Sequence, residues 1–225
     1  MSDYAKHLPL SLRPRVDETG VSAHWDTAMG DTLEAIATML ERLSPEQWES
    51  PSLCEGWRVR DVAGHIVWRV GASTGDMLRD GFSLWPRKHL NPMRAMDELS
   101  LKQAEADYAS IVNRIRAIAV ARRSGEGRRG ITELTEVVVH GFDMASPLGI
   151  DLGVDGTVTG AVALRRSLLL PAGVRQVIRR RTLNATDAGW QLGRGPQIDG
   201  TAEAIVLFLF GRAALPKAVS GETQP

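Results

Sequence analysis

Glu133-Leu-Thr-Glu-Val-Val-Val-His-Gly-Phe-Asp143 reads as the middle of a helix running from about Ile131 to Ala145 and stopped by Pro147 and Gly149. Positions i and i+4 of a helix share one face, so Glu136 and His140 stand one above the other. Val137-Val-Val139 between them implies a largely buried helix, and a buried carboxylate needs a partner. His65 lies in an earlier helical stretch, Val59-Arg-Asp-Val-Ala-Gly-His-Ile-Val-Trp68. If the two helices face each other, two imidazoles and a carboxylate offer three ligands to one metal ion. That set leaves a coordination position open, as in catalytic rather than structural sites. Read singly, each residue has a plainer account: a hydrogen-bonded core or surface histidine, and a Glu–His pair on a helix face.

Further helices surround these two. A first helix is expected from about Val21 to Leu43, with Trp25, Ala28, Thr32, Ile36, Leu40 and Leu43 at helical spacing. Ser44-Pro-Glu-Gln47 has the cap, the proline and the amide of a capping box. The second helix runs from about Arg58 past Val70. Gly81, Pro86 and Pro92 mark 80–96 as a connection. A third helix is expected over about Asp97 to Ala121, ended by Gly125-Glu-Gly-Arg-Arg-Gly130. Four helices with one apolar stripe each predict a four-helix bundle, whose core is where metal sites of this kind are built. Beyond a turn-rich 151–156, short helices are expected over Thr157 to Leu169 and Ala172 to Arg180. Short strands follow at Thr182 to Thr186, Gly189 to Leu192 and Gln197 to Asp199, then a last helix from Thr201 to Ala214. The fold class is therefore α+β: an irregular lead-in over 1–20, a bundle over 21–150, a smaller C-terminal α/β domain over 151–215 and a frayed tail over 216–225.

Composition narrows the function. The chain has 225 residues, 43% hydrophobic and 24% charged, with 27 basic and 27 acidic side chains. That balance gives no field for nucleic acid or an anionic membrane. The lone cysteine, Cys54, excludes an internal disulfide and a cysteine-rich metal site. The opening Met1-Ser-Asp-Tyr-Ala-Lys lacks a leader pattern, and Ala204-Ile-Val-Leu-Phe-Leu-Phe210 is too short to span a bilayer. A cytoplasmic, soluble protein is expected, as monomer or homodimer.

Other residues carry smaller readings. Cys54 is more readily an inert thiol than a nucleophile or ligand, although Arg58 and Arg60 are near. Trp48 and Trp57 pack the loop before the second helix against the bundle. Asp61 favours the dipole of that helix. Asp143 is either an acceptor for a ligand imidazole or a helix-end hydrogen bond. His7, His24 and His89 read as solvated, as do the clusters Arg122-Arg123, Arg128-Arg129 and Arg179-Arg-Arg181. Arg212, after the apolar run of the last helix, reads as a planar fork reaching back to clamp a substrate carboxylate.

Three blocks resemble one family. Trp48 with Pro51-Ser-Leu-Cys-Glu-Gly-Trp-Arg-Val-Arg-Asp-Val-Ala-Gly-His65 resembles the opening signature of the mycothiol-dependent maleylpyruvate isomerase family, within the wider DinB-like metal-binding bundles. Glu136-Val-Val-Val-His-Gly-Phe-Asp-Met-Ala-Ser-Pro-Leu-Gly149 resembles its second signature. Asn184 to Gly200 with Leu207-Phe-Leu-Phe-Gly-Arg212 is similar to its C-terminal part. The resemblance implies a divalent metal, usually zinc, on His65, Glu136 and His140, mycothiol as thiol co-substrate, and a catalytic or substrate-binding role for Arg212. One departure is visible: Arg58 stands where a Thr cap is usual, so the capping box of the second helix is expected to be lost.

The leading reading is thus a metal-dependent thiol S-transferase or isomerase, its partners a small electrophile and a low-molecular-weight thiol activated as a metal-bound thiolate. A metal-dependent hydrolase using bound hydroxide, and a non-enzymatic binding protein that keeps the bundle, are the alternatives.

Overall fold

The computed structural model describes residues 25–73, 75, 92–169 and 172–214. The lead-in at 1–20, His7, His24, His89, the connection up to residue 91 and the tail at 216–225 lie outside the described residues. Helix α1 spans Asp26–Glu41, ending short of the expected Leu43, while the expected beginning at 21–24 lies outside the described residues. Helix α2, Pro45–Trp48, keeps the expected capping box: Gln47 N donates to Ser44 Oγ and Ser44 N to Gln47 Oε1. Helix α3 is Val59–Gly71.

The single third helix of the sequence reading is two. Helix α4, Pro92–Ala104, extends into the stretch expected to be irregular, and helix α5 is Tyr108–Arg123. Asp107 starts α5 by accepting from Ser110 N at 2.9 Å, which ends the continuity of the chain axis. Helix α6 is Ile131–Ala145, as its pattern predicts, followed by a 3-10 turn at Ser146–Leu148.

Helices α1, α3, α5 and α6 form the four-helix bundle: α1 and α3 each pack on both α5 and α6, and α4 lies against α3. Each contributes one apolar stripe. Met29, Leu33, Ile36 and Leu40 meet Val62, Ile66 and Val70, Ile111 and Ile115, and Leu134, Val137 and Val138, all with no exposed surface. The capping box of α3, expected to be lost, is kept in part. Arg58 cannot accept an N–H, but Asp61 still accepts from Arg58 N at 2.9 Å and from its guanidinium.

Two arginines close the other end of α3. Arg128 donates to Arg69 O and Arg122 to Val70 O, while Ala72 N reaches Trp68 O. These carbonyls are among those a helix leaves unpaired at its C-terminus, where positive charge is also favoured. Arg122 is therefore buried, at 4% exposure, and not solvated as its cluster suggested. Close approach on the other flank depends on Gly64. A Cβ there would lie 2.7 Å from both Ala104 N and Ser100 O, so the missing side chain is what lets α4 settle on α3.

After α6 the chain forms α7 (Gly156–Leu168), α8 (Ala172–Arg180) and a three-stranded sheet. Strands β1 (Thr182–Ala185), β2 (Trp190–Gly193) and β3 (Gln197–Gly200) run in the order β2-β1-β3, with β1 antiparallel to β2 and parallel to β3. Leu183 and Ile198 point into the core that these elements share with the bundle. Helix α9, Ala202–Leu209, is capped by Thr201 and ends five residues sooner than expected. Gly211, at φ +74, turns the chain: Gly211 N donates to Phe208 O and Arg212 N to Leu207 O. This paired closure is a Schellman turn, which glycine favours because it carries no Cβ. Arg212 thus sits past the helix and is fixed by its turn. No helix among the described residues is long and apolar enough to cross a membrane.

Candidate metal centre

The three residues singled out by the sequence converge. His65 Nε2 lies 3.7 Å from Glu136 Oε2, and His140 Nε2 lies 3.4 Å from the same oxygen. The three donor atoms all stand within 4.8 Å of one another, and the two imidazole rings meet edge to face at 4.7 Å. Ligand bonds of about 2.0–2.2 Å in tetrahedral geometry place neighbouring donors roughly 3.3–3.6 Å apart. The two separations from Glu136 are close to that edge, and the donor set fits a divalent ion once the imidazoles close on it.

Each donor is also oriented from behind. His65 Nδ1 is 2.9 Å from Ser100 Oγ, and His140 Nδ1 is 3.0 Å from Asp143 Oδ2. Both contacts turn Nε2 toward Glu136, which is how outer partners hold ligand imidazoles. Glu136 Oε1 faces Arg69 Nη2 at 3.7 Å, and Arg69 and Arg128 share Glu133 at 4.0 and 3.3 Å. Ser100 was not foreseen. It reaches His65 only because α4 rests on Gly64, one residue before the histidine. Trp57 and Trp68 flank His65, with ring centroids 5.3 and 6.3 Å away.

The electrostatics match a cation site. Burial, only partly offset by Glu136, holds the His65 imidazole below its ordinary value. Burial opposes ionisation of Glu136, but His140, His65 and Arg69 outweigh it and keep the carboxyl well below the usual carboxylate range. Burial of His140 is likewise outweighed by Asp143, Cys54 and Glu136, which raise it well above the ordinary histidine value.

A second group, Cys54, His140 and Asp143, also has ligand-type atoms close together. Its spacing is that of hydrogen bonds. Cys54 Sγ donates to Asp143 Oδ2 at 3.0 Å and stands 3.6 Å from His140 Nδ1. A cation is already in place there: Arg212 donates through Nε to Asp143 Oδ1 at 3.1 Å and through Nη2 to Asp143 Oδ2 and Cys54 Sγ, both at 3.4 Å. Burial resists the charge on Asp143, but His140, Cys54 and Arg212 together lower its carboxyl. Arg212 does reach back to the bundle, and the carboxylate it holds is the chain's own. Cys54 is buried and bonded, not an open nucleophile. Its loop is pinned by Leu53 N donating to Asp143 O at 2.9 Å.

A family model described as the mycothiol maleylpyruvate isomerase N-terminal domain matches residues 29–145. No curated protein matches the chain. Among solved structures, the crystal structure of the mycothiol-dependent maleylpyruvate isomerase is 14% identical, over 84% of this chain and 88% of that one, at a TM-score of 0.48. A histidine-to-alanine mutant of it matches with the same identity and coverage, at a TM-score of 0.45.

Proposed function

This chain belongs to the mycothiol maleylpyruvate isomerase N-terminal domain family, and from that membership we propose that it is a mycothiol-dependent isomerase or S-transferase acting on a small electrophile. The observation that carries the reading is the meeting of His65 Nε2, His140 Nε2 and Glu136 Oε2 around one point. These residues would hold a divalent ion, zinc by the chemistry of two imidazoles and one carboxylate. A bound ion would supply Lewis acidity that favours the deprotonated form of a thiol at neutral pH.

The protein's own groups do the remaining work. Ser100 and Asp143 keep the two imidazoles aimed. Glu136 meets the imidazoles through Oε2 while Arg69 faces Oε1. Arg212 spends Nε and one edge of Nη2 on Asp143 and Cys54, and Nη1 bonds to none of the described residues. With a side chain 31% exposed, it retains a face for a substrate carboxylate. In an isomerisation the thiol sulfur adds to a conjugated carbon, and the displaced electron pair moves to the adjoining carbonyl. The former double bond rotates, the pair returns, and the same sulfur leaves, so no thiol is consumed.

The test is turnover of a cis-configured unsaturated dicarboxylate by zinc-loaded protein with and without added mycothiol. Activity is expected only with both zinc and thiol, and His65→Ala should abolish it together with stoichiometric zinc binding. Equal turnover without thiol would instead mark a hydrolase or another thiol-independent enzyme.

A further inference from the structure

Among the described residues, Asp143 is the carboxylate that touches both His140 and Arg212. It has no exposed surface. Its Oδ2 takes His140 Nδ1 and Cys54 Sγ, each at 3.0 Å, and Arg212 Nη2 at 3.4 Å, while Oδ1 takes Arg212 Nε at 3.1 Å. The partners are distant in sequence: Cys54 is 89 residues from Asp143 and Arg212 is 69. Three segments of chain therefore hang on one buried group: α6 with His140, the loop before α3, and the turn after α9. An ionised carboxylate in such surroundings persists only while its partners stay in place. Conversely, the partners keep their directions only while the carboxylate is there.

We propose that Asp143 is a positioning residue shared between His140 and Arg212, so that ion binding at one and carboxylate binding at the other strengthen each other. This rests on Arg212 as the carboxylate-binding group. An ion on His140 Nε2 leaves the Nδ1 proton directed at Asp143, which firms the carboxylate that braces Arg212. A guest carboxylate on the free edge of Arg212 in turn sits on a frame already tied to the ion, and opposite charges in a poorly hydrated site reinforce one another. By linkage the two affinities change by the same factor. Cys54 serves the same arrangement by fixing the rotamer of Asp143 through its S–H.

The test is zinc affinity of the full chain, measured by competition with a chromophoric chelator, with and without saturating succinate as the carboxylate probe. For the parent, succinate should tighten zinc about 5–20-fold, within the usual span of coupled sites. In Asp143→Asn, which keeps the shape but not the charge, zinc should weaken about 10–100-fold, as for loss of other outer partners of ligand histidines. The succinate effect should then fall below about twofold, which a merely structural role for Asp143 would leave intact. The proposal is overturned if the parent's zinc affinity ignores bound succinate. It is equally overturned if Asp143→Asn keeps either the parent's zinc affinity or its succinate effect. Should that variant not fold, Cys54→Ser must preserve the coupling and Cys54→Ala must reduce it, and identical behaviour of the two counts against the proposal. Failure of succinate to bind the zinc-loaded parent at all would sink the reading of Arg212. The assignment of Asp143 to His140 would then stand or fall on the zinc affinity of Asp143→Asn.

Discussion

Ser100 illustrates how a residue without any chemical signature comes to matter. Its hydroxyl is fully buried and lies 2.9 Å from His65 Nδ1. Loss of a neutral hydrogen bond costs about 0.5–1.5 kcal/mol of stability, a modest effect in a chain of this size. Loss of an outer partner of a ligand histidine costs about 10–100-fold in metal affinity. Ser100→Ala is therefore expected to fold and yet to bind zinc about 10–100-fold more weakly by chelator competition. Undiminished affinity would show that packing against the tryptophans alone orients His65. The contrast with Glu136 and His140 explains what could be read in advance. Their spacing of four places them on one face by helical geometry alone, whereas Ser100 stands 35 residues from His65 and meets it only through packing. Cys54 was legible as a lone thiol, but the neighbours that make it part of a hub stand 86 to 158 residues further along the chain.

At the level of elements, α3 carries His65, and its C-terminal carbonyls are held by side chains instead of a following turn. Arg122→Ala would leave Val70 O and Glu126 O without their donor. Unpaired buried carbonyls cost about 1–3 kcal/mol, and each kcal/mol lowers Tm by about 2–4 °C at this length. A fall of about 2–12 °C is expected by calorimetry. Arg123→Ala is the control, because its pair with Asp31 is half exposed, with side chains 37% and 62% accessible. Such surface pairs contribute about 0–1 kcal/mol. Equal losses for the two would mean that Arg122 does not cap α3. Element boundaries followed the sequence where stop signals stood alone, as at Pro147 after α6. They failed where one apolar stripe ran across a break. Leu101, Ala104, Tyr108 and Ile111 keep helical spacing through residues 105–107, and the cap at Asp107, present in the sequence, was masked by that periodicity. Gly211 likewise ended α9 before the apolar pattern and its alanines suggested.

For the molecule as a whole, an ion that binds only the folded chain must stabilise it. At a free zinc concentration 100 times Kd the gain is about 2.7 kcal/mol, or about 5–10 °C in Tm for a chain of this size. The parent should show that rise and lose it to a chelator, while His65→Ala should show none; a Tm indifferent to zinc would leave the three donors without an ion. The three proposed ligands belong to the stretch matched by the family model, residues 29–145, yet Arg212 arrives from beyond it. The bundle could be inferred from four apolar stripes, but the return of the C-terminal turn to Asp143 could not, since nothing local to Gly211-Arg212 encodes its distant acceptor.

The indole of Trp57, set 5.3 Å from the ring of His65 with a second indole at 6.3 Å, gives the protein an optical gauge of its own occupancy. A paramagnetic guest such as cobalt(II) seated on that imidazole would dim the tryptophan emission, so loading could be followed in real time on unlabelled protein.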